Sequence, residues 1–374
     1  MQKRWIGFMR CIIVLLVCLL LGPAKNVNAK VVDAQPDTQD NATTETTTSE
    51  SDGWDSSKNY YYEKGKKVTG FKKIDNKLYY FQSNGKLYKK TGVRTIQGKK
   101  YCFASDYSIK TGVVKVGKKY YYFQKSTGVR YEKKGVKKVD GKYYCFTSKH
   151  YLKSGWYRNS KNKRYYFDKK TFEAKIGWNY IGKYKYFFEK NGQLCQDLRK
   201  KLSKQIKKQK KDKNAYLIKV NRAASCVTVY AKDGDKGYTI PVVAFVCSAG
   251  QATPTGTFKL KDKLRWHELM GPCWGQWCEH LTDDILFHSV YYNKENDNKS
   301  LSVSAYNKLG TMASHGCVRL TAGDAKWIFD NCAVGTKVTI YNKKKEPSPF
   351  DKPKAKKLKS SQTWDPTDPT IKKK

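Results

Sequence analysis

Between Trp54 and Leu198 the sequence repeats, and the period of this repeat restricts the possible folds more than any other feature. Glycines followed by an aromatic or apolar residue stand 22, 20, 23, 20 and 22 residues apart, at Gly70, Gly92, Gly112, Gly135, Gly155 and Gly177. A fixed period of about 20 residues indicates an array of stacked structural units. One such unit cannot bury a core alone, so we expect each unit to pack against its neighbours.

Each repeat has the residue pattern of a β-hairpin. An aromatic-rich strand such as Tyr79-Tyr80-Phe81 is followed by a turn with Gly or Asn, such as Asn84-Gly85 or Asn191-Gly192, and then by a second short strand. Isolated hairpins are marginally stable in water, so the aromatic faces of neighbouring hairpins are expected to form the core. The sequence therefore predicts a mainly β, stacked hairpin array over residues 53–198.

The N-terminal residues predict export. Basic residues precede an apolar run of eleven residues that ends before Gly22-Pro23, and a small residue follows at Ala29. This is the pattern of a secretory signal peptide over residues 1–29. The run is shorter than the roughly 20 residues of a membrane span, so no transmembrane span is expected in the mature protein. Residues 30–52 are acidic and Thr-rich without apolar periodicity, which predicts a disordered linker.

The charge of the chain points to anionic partners. Lys and Arg number 75 against 32 Asp and Glu, which gives a formal net charge of +43. A surface of this kind attracts polyanions. Only ten of the basic residues are Arg, the side chain that reads phosphates and bases in bidentate geometry. Together with export, this argues against a nucleic-acid partner and favours anionic polymers of a cell wall.

The second informative stretch is Ser314-His315-Gly316-Cys317-Val318-Arg319-Leu320. It sets a thiol close to an imidazole and a guanidinium. A Cys with its ordinary pKa of about 8.5 is mostly protonated at neutral pH, so a nucleophilic Cys needs a neighbouring base or positive charge. His288 is a further candidate base upstream. The structural alternative is a buried, inert Cys.

The Cys stretch resembles the active-site motif of the YkuD-like L,D-transpeptidases, which cross-link bacterial peptidoglycan. Thr253-Pro254-Thr255-Gly256-Thr257-Phe258 resembles a second segment of that family. The resemblance implies a β-sandwich-like catalytic domain, here residues 214–343, with one short helix after the Cys motif. Strand-like runs from Tyr216 onward, rich in β-branched and aromatic residues, agree with this expectation.

The resemblance also implies roles for individual residues. Cys317 is expected to attack the carbonyl of a tetrapeptide stem, with His288 as the base and the backbone carbonyl of Ser289 orienting its ring. Backbone N–H groups around Gly316 and Cys317 are expected to stabilise the oxyanion. The residues expected to bind or position substrate are Ser314, His315 and Arg319. No cofactor or metal is expected. The interval from His288 to Ser314 is longer than usual for the family, which we interpret as an inserted polar loop.

A Trp-rich segment, residues 266–280, lies between these motifs. Its two Cys and two His residues are of the kinds that bind zinc, but their spacing is not that of a standard zinc finger. They are His267, Cys273, Cys278 and His280. We interpret the segment as a lid in which Trp274 and Trp277 cover the acyl donor and exclude water. Whether Cys273 and Cys278 form a disulfide stays open.

The repeats resemble the choline- and glucan-binding wall repeats of Gram-positive surface proteins, whose aromatic side chains form platforms for choline or sugar. The Gly-Trp step of that family stands at Trp156 and Trp178, whereas the four earlier repeats have Gly-Phe or Gly-Val. We therefore expect attachment to the wall rather than choline recognition. The residues predicted to bind the wall are Trp156, Trp178, Tyr121, Tyr143 and Tyr165, and most other aromatics are expected to form the core.

Taken in order, the chain is predicted to place a basic linker or short basic helix at residues 199–213 and a basic tail, extended or disordered, at residues 344–374. The predicted function is a secreted, wall-associated L,D-transpeptidase acting on peptidoglycan stem peptides of a Gram-positive envelope. The alternatives are an L,D-carboxypeptidase, a wall Cys peptidase, and a wall-binding surface protein with weak catalysis.

Overall fold

The structure, a computed structural model, describes residues 51–344 and 348–371. The predicted signal peptide and nearly all of the acidic linker lie outside the described residues. Asp52–Lys374 pack as one compact unit. In the part of the chain that is described, none of the helices combines the length and apolar character needed to cross a membrane.

The repeat array consists of fifteen short strands. The first three form a small sheet, and the other twelve form six two-stranded antiparallel hairpins. The strands are β1 (Gly53–Trp54), β2 (Tyr61–Glu63), β3 (Lys66–Lys67), β4 (Gly70–Ile74), β5 (Lys77–Phe81), β6 (Gly92–Ile96), β7 (Lys99–Phe103), β8 (Gly112–Val116), β9 (Lys119–Phe123), β10 (Gly135–Val139), β11 (Lys142–Phe146), β12 (Gly155–Arg158), β13 (Arg164–Phe167), β14 (Gly177–Ile181) and β15 (Tyr184–Phe188). The predicted stacked hairpin array is confirmed.

The pairing inside each repeat differs from the prediction. Each hairpin joins the Gly-led strand to the aromatic strand after it, so that Gly70 pairs with Phe81. The turn is Asp75-Asn76, with φ of 47° and 63°, as in the two-residue turns that match strand twist. The prediction centred on Asn84-Gly85 is wrong, because that turn follows the aromatic strand and leads to a single bridge at Leu87. Asp75-Asn76 and Asn84-Gly85 both have residues suited to a hairpin turn, and the repeat period alone does not show which of the two turns connects the paired strands.

Connections between hairpins bind them into an array. After each hairpin the chain returns to the hairpin before it: Ile109 N donates to Leu78 O at 2.6 Å, and Leu152 N donates to Tyr120 O at 2.7 Å. The apolar side chains fill several small clusters between adjacent hairpins instead of one core. Each repeat is therefore stabilised mainly by its immediate neighbours.

The predicted catalytic region, residues 214–343, contains two sheets and two short helices, and a third helix, α1, precedes it in the basic segment. The five-stranded sheet has the order β18-β17-β16-β24-β19, and the four-stranded sheet has the order β20-β21-β22-β23. The elements are α1 (Ser203–Gln209), β16 (Tyr216–Asn221), β17 (Cys226–Ala231), β18 (Ile240–Val246), β19 (Gly256–Lys259), β20 (Leu264–Leu269), β21 (Cys273–His280), β22 (Leu286–Ser289), α2 (Val303–Tyr306), β23 (Val318–Leu320), α3 (Ala322–Asn331) and β24 (Lys337–Tyr341), with a 3₁₀ turn at Gly234–Lys236.

One large core joins the two sheets and α3. It includes Val220 of the first sheet, Phe287 and Val318 of the second, and Ile328 of α3, all fully buried. The helix predicted after the Cys motif is α3, and Thr321 caps its start by accepting a hydrogen bond from Asp324 N at 3.2 Å. The mainly β fold with a short helix is confirmed.

Two segments outside the sheets also pack on this region. The basic segment contains α1, and both Leu198 and Ile206 belong to the large core. The last hairpin is bonded to the same region, because Leu198 N donates to Val242 O at 2.8 Å. The tail residues 348–371 lie as an extended strap, the first of the two alternatives, with Phe350 and Leu358 buried.

Candidate active site

The loop before β23 holds the predicted nucleophile, and its own side chains fix its shape. Ser314 Oγ donates to Cys317 O at 2.6 Å. Arg319 Nη1 donates to Ala313 O at 3.0 Å. Backbone bonds between Arg319 and Ser248, of 2.9 and 2.8 Å, attach the loop to the end of β18. The Cys therefore stands on a turn that is closed at both ends.

Thr253 also helps to fix this turn, through a hydrogen bond to the backbone of Gly316. Thr253 Oγ1 accepts from Gly250 N at 2.7 Å and donates to Gly316 O. A Cβ atom on Gly316 would lie 2.6 Å from Ile285 Cδ1, so a larger residue here would require the end of the Ile285 side chain to move. Glycine therefore lets Ile285 pack directly against the residue before the nucleophile.

His288 lies on β22, which runs parallel to β23 with His288 opposite Arg319. Its ring is 1% exposed. Burial, and to a smaller extent the positive charge of Arg319, lower the pKa of His288 to about 3, while a backbone hydrogen bond with Ser289 acts in the opposite direction. Nδ1 is buried without a side-chain or backbone partner at normal geometry among the described residues. The imidazole is thus neutral at physiological pH.

Cys317 is half-buried, with its Sγ 3.7 Å from Asp284 O. Burial raises the pKa of the Cys317 thiol, and the nearby Arg319 charge and a backbone contact at Leu286 reduce that rise. The free site therefore holds a neutral thiol and a neutral imidazole instead of a preformed ion pair.

A cavity of about 520 Å³ joins these groups. Five of the predicted residues line it: His288, His315, Gly316, Cys317 and Arg319. Sequence reasoning did not anticipate several other lining residues, among them Leu269, Met270, Asp284, Ile285 and Tyr291. They come from the end of β20 and its turn, from the loop before β22 and, for Tyr291, from the segment after β22, and they give the cavity both apolar and charged walls.

Two predicted residues support the cavity from outside. Ser289 is fully buried, and its Oγ accepts from Gln276 N and donates to Val290 O, both at 2.9 Å. Ser314 is used in the bond to Cys317 O. Neither side chain lines the cavity, so the structure places both as positioning residues and not as substrate contacts.

The prediction of a Trp lid is corrected by the structure. Residues 264–280 form the hairpin β20–β21, and neither Trp274 nor Trp277 lines the cavity. Trp277 is buried against Phe329, with ring centroids 5.3 Å apart, because it points into the large core. The rim is instead formed by the turn residues Leu269 and Met270, of which Met270 is 84% exposed.

The Cys and His residues of this hairpin are not arranged as a metal site. Within residues 51–344 and 348–371, no group of three or more His, Cys, Asp or Glu could hold a metal ion. His280 Nδ1 instead pairs with Asp262 Oδ2 at 2.6 Å. Cys273 and Cys278 are free thiols in the structure, like the other described cysteines.

Two supporting features escaped the sequence analysis. Gly275 lies under the His288 ring, where an added Cβ would stand 3.1 Å from Nδ1. A glycine inside a strand is the available signal for such a close approach. The strap also reaches the site: Asp368 Oδ2 accepts from Gln276 Nε2 at 3.0 Å, and Asp365 Oδ2 accepts from Ala322 N at 2.7 Å. It thereby contacts both β21 and the start of α3.

The residues predicted to bind the wall fall into two groups. Trp156 and Trp178 are 41% and 39% exposed, and the Arg164 guanidinium lies 4.5 Å from the Trp156 ring centroid. Tyr143 and Tyr165 line a groove between repeats. Tyr121 lies outside that groove and contacts the Arg130 guanidinium at 5.2 Å.

Comparisons with known proteins agree with the division of the chain. Residues 215–340 match the YkuD family, the L,D-transpeptidase catalytic domain. Residues 69–87 match a cell wall binding repeat of the choline-binding type. YciB of Bacillus subtilis (strain 168), named as an L,D-transpeptidase, is 43% identical over 95 residues, which are 24% of this chain and 46% of YciB. The chain thus spans about half the length of this curated relative.

Solved structures show partial likeness to each region. Choline binding protein F from Streptococcus pneumoniae is 26% identical, with 36% of this chain and 48% of that chain covered and a TM-score of 0.28. An L,D-transpeptidase from Mycobacterium smegmatis is 21% identical, with 34% and 58% covered and a TM-score of 0.27. The chain is thus similar to the YkuD L,D-transpeptidase catalytic domain over residues 215–340 and to a cell wall binding repeat of the choline-binding type over residues 69–87.

Proposed function

We propose that this chain is an exported peptidoglycan L,D-transpeptidase that forms cross-links through a thioester on Cys317. The observation that supports the proposal most is the single cavity lined by Cys317, His288, Gly316 and Arg319 within a YkuD domain. A nucleophile, a base, backbone N–H donors and a fixed positive charge are the groups that acyl transfer uses.

Acylation begins with proton transfer from Cys317 Sγ to His288. The resulting thiolate attacks the carbonyl carbon of the donor stem, and a tetrahedral intermediate forms. As it collapses, the terminal D-residue leaves as an amine that takes the proton from His288, and the stem remains bound to Sγ as a thioester. In the second half, an acceptor amine gives a proton to His288 and attacks the thioester, which restores the thiol.

The neutral starting pair fixes the direction of the first proton transfer, from thiol to imidazole. Because burial and Arg319 hold the pKa of His288 at about 3, the imidazole is unprotonated throughout the physiological range. Its protonated form is costly in the buried site, which makes the first proton transfer unfavourable and favours rapid return of the proton to the leaving amine. Backbone N–H groups at Gly316 and Cys317 are the candidate oxyanion donors, and one such donor is commonly worth about 3 kcal/mol.

This arrangement predicts an unusual pH profile. An ordinary histidine base gives kcat/KM an acid limb near its pKa of about 6.5. With the pKa of His288 lowered to about 3, kcat/KM should stay flat from pH 7 down to at least pH 5. Initial rates on a soluble stem peptide measure it, and a limb near pH 6.5 would contradict the neutral buried base.

Attachment to the wall is the second part of the proposal. The cell-wall-binding repeat at residues 69–87 supports it, and the net charge of +43 suits anionic wall polymers. Export is inferred from the pattern of residues 1–29. In this arrangement the repeats hold the enzyme beside its polymeric substrate and raise the local concentration of stem peptides.

Incubation with a purified disaccharide-tetrapeptide, followed by mass spectrometry, tests the enzyme activity. We expect a cross-linked dimer, a released D-residue and a protein adduct at Cys317. His288→Ala should lose the adduct, whereas His150→Ala, in the repeats, should keep it.

Other products would assign other activities. A released D-residue without a dimer identifies a carboxypeptidase, and cleavage of existing cross-links identifies a Cys peptidase. The absence of both products and adduct would leave a wall-binding protein without this catalysis.

A further inference from the structure

The fourth and fifth hairpins, β10–β11 and β12–β13, enclose a groove of about 830 Å³ in the repeat array. Its walls include four tyrosines, of which Tyr165 is buried and Tyr143, Tyr151 and Tyr157 are half-buried. Aromatic walls of this kind supply stacking surfaces for the apolar faces of sugars or polyols. The tyrosines of the groove therefore offer stacking surfaces for a sugar or polyol, and the charge of the groove indicates whether that ligand is cationic or anionic.

The charge of the groove is positive. Its lining includes Lys134, Lys153 and Lys161, all exposed. Among the described residues that line it, none is an Asp or Glu. The active-site cavity differs in this respect, since Glu268, Asp283 and Asp284 contribute to its walls.

The chain's own cations also occupy the aromatic faces that a quaternary ammonium ligand would need. Ammonium groups lie 5.6 Å from the Tyr157 centroid and 4.9 Å from the Tyr151 centroid, contributed by Lys153 and Lys119. Nearby, Arg164 covers Trp156 at 4.5 Å. A further cation would be repelled at these rings, whereas an anion would meet ammonium groups held in place by cation–π attraction.

Polar side chains complete the groove. Asn159 Nδ2 lies 3.5 Å from Tyr165 Oη, and Gln193 also lines the wall. Amides and hydroxyls of this kind donate to and accept from polyol hydroxyls, while Lys binds phosphate as a point charge. The groove thus combines donors for hydroxyls with cations for phosphate.

We infer that this groove binds a phosphodiester-linked polyol chain of the wall and does not bind choline. The inference rests on the proposed attachment to the wall and gives that attachment a site and a ligand class. A chain of this kind carries hydroxyls between its phosphates. The tyrosine and amide side chains of the groove can form hydrogen bonds with the hydroxyls, and its lysines can pair with the phosphates. The ligand would enter as an extended strand, because the groove is open to solvent along exposed lysines.

Calorimetric titration of the full chain with poly(glycerol phosphate) tests the inference. The groove variant Lys153→Ala/Lys161→Ala should weaken binding about tenfold, from the loss of two partly exposed ion contacts. The matched control is Lys169→Ala/Lys170→Ala, which removes the same charge from exposed lysines outside the groove. The control should bind within about twofold of the unaltered chain, and millimolar choline should not compete.

Three results would overturn the assignment: no binding of the polymer, equal weakening by both double variants, or competition by choline. Circular dichroism of both variants establishes that the array remains folded. The enzyme proposal is tested separately on soluble disaccharide-tetrapeptide, which contains no polyol phosphate. The groove variant should keep cross-linking that substrate, so loss of polymer binding and loss of catalysis can be told apart.

Discussion

The repeat array and the catalytic region bury their apolar side chains in different ways. In the array, five of the six hairpins pair across two-residue turns, and the buried residues divide into several small clusters. In the catalytic region, β16 pairs in parallel with β24, so that Leu217 lies opposite Lys337. One core there joins both sheets and α3.

This difference in core organisation predicts how far the effect of a core substitution spreads in each region. Where a cluster is shared only by neighbouring hairpins, a core substitution should destabilise only a few repeats, since each repeat contacts mainly its immediate neighbours. A core assembled from distant segments transmits damage to every element that shares it, including the strands of Cys317 and His288. The array should therefore tolerate substitutions that the catalytic region does not.

The largest expected effect is confined to catalysis. Cys317→Ala removes the nucleophile and should lower cross-linking roughly 10⁴-fold or more, with no change in polymer binding by the repeats. Product mass spectrometry and calorimetry give the two measurements. Cys195→Ala, a half-buried thiol outside the cavity, is the matched control. Loss of polymer binding in the Cys317 variant would show that the two regions are coupled.

A matched pair of core substitutions tests the comparison directly. Phe287 and Phe123 are both fully buried, the first in the large core and the second in a small repeat cluster. Phe→Ala at such sites costs about 3–5 kcal/mol. Phe287→Ala should unfold the active site, whereas Phe123→Ala should leave cross-linking of a soluble substrate within about twofold. Equal losses would mean that Asp52–Lys374 unfold as one cooperative unit.

The strap provides a smaller test. Asp365→Ala removes the acceptor for Ala322 N at the start of α3, which should cost about 1–2 kcal/mol in the free energy of unfolding. Asp106→Ala, an exposed carboxylate in the repeats that accepts from Ser108 N at 3.1 Å, should cost less. Denaturant titrations compare the two. A greater loss at Asp106 would reverse the expected ranking of the regions.

The smallest effect is a difference in pH dependence. Burial raises the pKa of Asp324 to about 6 and raises the pKa of Glu279, so the catalytic region should lose stability as pH rises through 6. In the repeats, ion pairing with Lys77 lowers the pKa of Asp106 from 3.8 to about 2, so stability there should fall as the pH drops below 3.8 toward 2. Calorimetric scans at pH 3, 5 and 8 measure both trends. Parallel shifts in the two regions would contradict the distinction.

Local patterns predicted much of the molecule. The repeat period predicted the hairpin array, and the Cys stretch predicted Cys317 with His288 at one cavity. The Trp lid was wrong because Trp is common in strands as well as at binding sites. The structure also departs from regular strand geometry at Trp277, whose φ of 53° interrupts the β20–β21 pairing.

Long-range contacts could not be read from the sequence. The tail was predicted to be extended or disordered, and the partners of its Asp365 and Asp368 carboxylates, Ala322 and Gln276, lie 43 and 92 residues away. Nothing in the local pattern of the tail predicts which surface it covers. The burial of His288, which lowers its pKa, depends in the same way on strands that are distant in sequence.

The bond from Leu198 N to Val242 O, together with the burial of Leu198 and Ile206, leaves no free joint between the last hairpin and the catalytic region. The position of the groove relative to Cys317 is consequently set by the hairpins that follow the groove. Removing the last hairpin, β14–β15, would bring the groove closer to the catalytic region and turn it. In the proposed function, the number of these hairpins sets which stem peptides along a wall strand come within reach of Cys317.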